Sequence, residues 1–282
     1  MSTTSRLATF VAGVAAVFAI AMGAGAAFGP APAKAESEPP PPMGQGVINA
    51  ENGYRLIPTT PLAPTGGAFR FRIDEPNGRP ATRFTLLHER LLHLIVVNQE
   101  MSDYHHVHPT LAADGTWTVD LPALPAGSYR AIADFQTKGG PHLALGVDLA
   151  VAGDYSPQPI NQPAWSATVD GYQVDMTADR LAGGEVTFSL SVSQHGQPVT
   201  DLEPYLGANG HLVALRAGDL AYSHVHPSDK EHAAPGTVVF DAMLDSAGRY
   251  GLFFDFKHHE EVRTAHLTFD QGIVRGAAQM GH

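Results

Sequence analysis

Displaced by 118 positions, this chain superimposes on itself. Gly53-Tyr54 falls on Gly171-Tyr172, Gly66 on Gly184, Gly78-x-Pro80 on Gly196-x-Pro198, and His93-Leu94 on His211-Leu212. With the same displacement Tyr104-x-His106-Val107-His108-Pro109 falls on Tyr222-x-His224-Val225-His226-Pro227. After a three-residue insertion the displacement becomes 121, and Ala126-Gly127-x-Tyr129 and Asp134-Phe135 meet Ala247-Gly248-x-Tyr250 and Asp255-Phe256. Self-similarity of this kind means two copies of one folding unit. The copies run over 46–153 and 154–272, joined by the proline-containing stretch 156–163 and followed by a tail, 273–282.

Each copy reads as short strands between turn signals. Residues 68–73 alternate Phe and Arg with the period of a half-buried strand, Pro76-Asn77-Gly78 is a turn, and residues 91–97 form an apolar run with β-branched residues. Residues 116–121, 128–135 and 143–151 continue the pattern, and nothing after residue 46 has a helical period. Seven or so strands per copy predict an all-β chain of two tandem immunoglobulin-like or cupredoxin-like β-sandwiches. The Ala-Gly-x-Tyr step into a hydrophobic strand, present in both copies, is similar to the tyrosine corner of such sandwiches.

The histidines carry the chemistry. Cysteine is absent, which excludes disulfides, thiolate zinc sites, catalytic thiols and cysteine-ligated copper, while fifteen histidines remain. In each copy a histidine opens an apolar strand and His-Val-His-Pro follows thirteen residues later. Residues i and i+2 of a strand share a face, so His106 and His108 present two imidazoles together, and a paired strand can bring His93 to them. The same reasoning groups His211, His224 and His226. The expectation is one three-imidazole metal site per copy, with ring nitrogens converging to about 5 Å or less. Copper precedes zinc, because the Irving–Williams order favours Cu²⁺ at nitrogen ligands. Proton competition is expected near the free imidazole pKa of ~6.5. His142 and His266, near the start of each last strand, are further candidates. His88 and His105, matched by Leu206 and Ser223 in copy two, read as surface or accessory residues. His258-His259 beside Glu260 and Glu261 reads as a solvated turn, and Met101 and Met243 read as packing residues.

Residues 7–29 are an unbroken apolar stretch after Arg6, followed by Ala33-Lys34-Ala35. This N-terminal hydrophobic helix is either an uncleaved membrane anchor or a signal peptide cleaved after Ala35, and both place the remainder outside the cytoplasm. The polyproline run at 39–42 makes the rest of residues 1–45 a stiff spacer. Seventeen Lys and Arg against 28 Asp and Glu give a net charge of −11, which attracts cations and disfavours nucleic acid as a partner.

Two other classes stay open. Gly218, His224-x-His226 and Glu231 resemble the first cupin motif, but copy one lacks the Gly and the Glu, and no second cupin motif follows. A metal-free cell-surface interaction module, partnered by another cell-envelope protein, would use the histidines structurally. Hydrolase, phosphate-loop, dinucleotide and zincin motifs are absent. The tandem pattern of strand His, His-x-His-Pro and Ala-Gly-x-Tyr resembles exported actinobacterial proteins with tandem His-x-His-Pro β-sandwich repeats, which are loosely similar to secreted copper-handling sandwiches. The resemblance implies extracytoplasmic placement and a repeated fold, and it carries no catalytic activity. The favoured reading is a non-catalytic extracytoplasmic metal carrier or scavenger.

Overall fold

The computed structural model describes residues 45–160, 163–223, 225–228, 234–244 and 246–272. Residues 1–44, with the apolar stretch and its two readings, lie outside them. Among the described residues no helix is long and apolar enough to cross a membrane. Their one helical feature is a 3-10 turn at Ala182–Gly184.

Each copy is a sandwich of two antiparallel sheets. In copy one, one sheet has the strand order Ala50–Glu51, Tyr54–Pro58, Gly67–Asp74, Thr116–Leu121, Thr110–Leu111. The other runs His142–Val151, Gly127–Thr137, Leu92–Asn98, Tyr104–Val107. Copy two repeats both: Ser166–Val169, Tyr172–Arg180, Glu185–Gln194, Thr237–Met243 and Val225–Pro227 in one sheet, and Tyr222–Ser223, His211–Arg216, Gly248–His258 and Glu261–Gln271 in the other. The predicted strands and their alternation are all present. Phe69, Phe71, Trp117, Tyr129 and Phe135 fill the first core, and Phe188, Phe240, Tyr250, Phe254, Phe256 and Phe269 the second.

Both Ala-Gly-x-Tyr steps are tyrosine corners. The Tyr129 hydroxyl donates to the Pro125 carbonyl at 3.0 Å and the Tyr250 hydroxyl to the Ser246 carbonyl at 2.9 Å. Gly127 and Gly248 precede them at φ +158° and +146°, a backbone that a side chain would strain.

A third core lies between the copies. In Leu92–Asn98, Leu92, Leu94 and Val96 point into sandwich one, while Ile95 and Val97 point the other way. In His211–Arg216, Leu212 and Ala214 point inward, while Val213 and Leu215 point out. The two outward faces bury each other together with Met101, Ile132, Ala144, Leu220, Tyr222 and Phe253. Tyr104 of copy one stacks on Phe253 of copy two, ring centres 3.7 Å apart and planes within 4°. Met101 is 1% exposed and fits because Gly251 has no side chain: a Cβ there would meet its sulfur at 2.8 Å. The segment leading into copy one meets copy two through backbone as well, as Tyr222 N–H donates to the Gln45 carbonyl at 2.7 Å.

Equivalent tyrosines face this interface differently. The Tyr222 hydroxyl donates to Asp134 Oδ2 at 2.9 Å, whereas the Tyr104 hydroxyl is buried without a partner among the described residues. Losing a buried donor leaves a carboxylate short of a bond, while losing an unpaired hydroxyl removes only a desolvation cost. Tyr222→Phe is therefore expected to destabilise the protein by about 1–3 kcal/mol and Tyr104→Phe to be neutral or stabilising. Urea denaturation of both variants against the parent checks the contrast.

Candidate metal centre

The period of two that divides each apolar strand also aims its histidine. His93 shares parity with Ile95 and Val97, so it emerges on the face turned toward the other copy, and His211 does the same beside Val213 and Leu215. Ile95 lies opposite His106 in the register, which puts His106 on that face as well. His108 stands one residue beyond the Tyr104–Val107 strand and still reaches the same point.

The nitrogens of His93, His106 and His108 lie within 4.8 Å of one another. His93 Nδ1 is 3.0 Å from His106 Nε2 and 3.2 Å from His108 Nε2. Tetrahedral ligands on metal–nitrogen bonds of about 2.0–2.1 Å are ~3.3 Å apart, so these edges are close to those of a coordination site.

Neighbouring groups fix which nitrogens hold protons. The Leu87 carbonyl lies 3.0 Å from His93 Nε2 and can only accept, so Nε2 carries the proton and Nδ1 presents its lone pair. Asp255 Oδ2 lies 2.8 Å from His106 Nδ1 and accepts in the same way, leaving the lone pair on Nε2. Two lone pairs thus face each other. His108 has no such fixed partner among the described residues, and its Nε2 can donate to His93 when no ion is present. Ring nitrogens tied outward to a carbonyl and a carboxylate, with free lone pairs converging inward, are the arrangement found around metal-bound histidines.

Asp255 belongs to copy two, so the site is not confined to one sandwich. It also accepts from the Thr264 hydroxyl at 2.6 Å. Its equivalent, Asp134, reaches back to Tyr222 and pairs with His142. His211, the first member of the second expected triad, packs against the copy-one rings, stacked on His93 at 5.6 Å and 4.9 Å from His106. His224 lies outside the described residues. His226 is exposed, on the other sheet of copy two, opposite Asp241.

Other histidines differ from the sequence expectation in place. His88 is half-buried, its ring 6.1 Å from His93 and 5.7 Å from His211. It was not legible as part of the cluster, because it sits in an irregular turn at 87–90 and one of its ring neighbours comes from the other copy. His258 is 5% exposed rather than solvated, since it ends the long Gly248–His258 strand on its buried face, 2.7 Å from the Tyr172 hydroxyl and 3.2 Å from Asp201. His266 stacks on Phe253 at 4.4 Å. Met243 is 43% exposed and Met101 packs between the copies.

The family model for Domain of unknown function (DUF8832) matches residues 52–152 and again 167–272. The chain belongs to the DUF8832 family. No curated protein matches it. Among solved structures, this DUF8832 protein is similar to a Salmonella α2-macroglobulin mutant, 16% identical over 80% of this chain with TM-score 0.25. It is similar to InvD of Yersinia pseudotuberculosis, 12% identical over 83% with TM-score 0.26, and to the FN1–FN3 domains of chicken CNTN1, 15% identical over 78% with TM-score 0.24. It spans 15%, 61% and 69% of those chains respectively. Superpositions this loose carry no argument about function, and the fold rests on the strand order itself.

Burial and repulsion from neighbouring imidazoles disfavour the charged forms of four histidines here, His88, His93, His108 and His211. Burial, then the neighbouring His106, lowers His93 to about 4. Burial, then His106 and His93, lowers His108 to about 3. Burial takes His211 well below its ordinary value and lowers His88. His142 runs the other way: burial opposes its charge, but the hydrogen bond and charge of Asp134 outweigh it. Proton competition therefore moves below the free-imidazole range. An unfolded chain takes up protons below ~6.5 that His93 refuses until about 4 and His108 until about 3, so folded stability falls as pH falls through that window. His142 opposes these shifts, and the half-buried His266, lowered by burial, adds to them. The thermal midpoint of metal-free protein is expected to drop steadily from pH 6.5 to 4; a midpoint that holds or rises there would mean the rings are not kept neutral.

Proposed function

We propose that this protein is an extracytoplasmic, non-catalytic binder of a divalent transition metal, Cu²⁺ before Zn²⁺, acting as a carrier or scavenger. The observation that carries the reading is the pair of lone pairs of His93 and His106 aimed at each other 3.0 Å apart, each fixed by an acceptor on its far side, with His108 beside them. A cation between them turns a repulsive contact into two bonds. Neutral imidazole suits both ions, and copper binds more tightly at nitrogen when both are free. The acidic chain favours cation approach. Placement outside the cytoplasm rests on the apolar segment and the Ala33-Lys34-Ala35 step.

The metal-free alternative has its own support, since the His106–Asp255 bond ties the two copies together without any ion. In that case the cluster pins the sandwiches and the protein is a cell-surface interaction module. Titration of the purified protein with Cu²⁺ and with Zn²⁺ at pH 7.5 separates the readings. Binding in the micromolar range or tighter is expected, together with its loss in the double variant His106→Ala, His108→Ala. A parent that binds neither ion more tightly than about 10 μM, a binding free energy near −7 kcal/mol, favours the interaction module.

A further inference from the structure

We propose that one ion is held jointly by the two sandwiches, with His211 as the fourth imidazole and Asp255 as the positioning residue that aims His106. The inference rests on the metal-binding reading above and departs from one independent site per copy.

Four imidazoles around one ion with bonds of about 2.0–2.1 Å have ring centres ~5 Å apart. In the triad the centres of His93 and His106 are 5.2 Å apart, of His93 and His108 4.9 Å, and of His106 and His108 5.0 Å. His211 continues the same spacing, 4.9 Å from His106 and 5.6 Å from His93. No other described histidine is placed so symmetrically against two of the three.

His211 is also enclosed by the cluster. It is 8% exposed, with its ring against those of His88, His93 and His106. Its nitrogens stand outside the group that converges within 4.8 Å, so the ring must turn to bind. Rotation of an imidazole about its outer side-chain bond follows a broad profile, which makes that turn accessible.

Asp255 supplies the second cross-copy contact. Its two oxygens are used, one by His106 Nδ1 at 2.8 Å and one by the Thr264 hydroxyl at 2.6 Å, so the carboxylate is held while it orients the ring. It faces His211 across the register of the second sheet. A carboxylate behind a metal-bound histidine raises its basicity and fixes its tautomer, and losing one typically weakens binding 10–100-fold.

The test uses the full chain with Cu²⁺ or Zn²⁺ alone. Titration of the parent is expected to give one tight equivalent, and X-ray absorption on the loaded protein four imidazoles. His211→Leu should lower the imidazole count to three and weaken binding about 10–100-fold, and Asp255→Asn should weaken it similarly with four imidazoles retained. Melting of the metal-free variants identifies any that fail to fold, and the count on the parent needs no variant. Two equal equivalents, three imidazoles in the parent, or unchanged affinity and count in folded His211→Leu would overturn the joint site while leaving metal binding intact. A parent that binds neither ion overturns the metal reading itself.

Discussion

The outer faces of two sheets, one from each copy, are apolar and are buried against each other through Ile95, Val97 and Ile132 on one side and Val213, Leu215 and Phe253 on the other. Hydrophobic burial of this kind is non-directional and scales with area, so it holds the copies together without fixing where any polar group must go. Direction comes from what is trapped at its border. Asp255 crosses to His106 and Asp134 crosses to Tyr222, so each copy's cross-strand aspartate accepts a hydrogen bond from the other copy. Buried carboxylates demand such partners, and the pairing sets the register of one sandwich on the other.

The candidate metal centre depends on this contact. His93 would stand on a bare sheet face if copy one were alone, and His106 would lack the acceptor that decides its tautomer. Docking of copy two covers His93, whose charged form burial disfavours, and supplies the carboxylate behind His106.

Duplication has not left the two halves equivalent. His88 stands where copy two has Leu206, and both occupy matching turns with positive φ, but copy two follows with Gly207 while copy one uses Glu89 at φ +66°. Arg130 of copy one corresponds to Gly251, whose missing side chain admits Met101. Ile132 corresponds to Phe253, on which Tyr104 stacks. These differences lie at the interface, where His211 packs against the rings of copy one, while His226 sits exposed on another sheet.

Repeat, strand alternation and tyrosine corners were legible in the sequence, because each depends on residues close along the chain and on the fixed period of a strand. The triad of His93, His106 and His108 was legible for the same reason: hairpin pairing of neighbouring strands brings them together within one copy. A further signal lay in residues 91–97, whose near-continuous apolar run reads as a strand covered on both faces, yet the run alone cannot say what covers it. Only the tertiary structure decided that the cover is the other copy, that Asp255 and His211 join the histidines of copy one, and that burial disfavours the charged forms of His93, His108 and His211. Those contacts link residues more than a hundred positions apart through a face-to-face packing that no local period encodes.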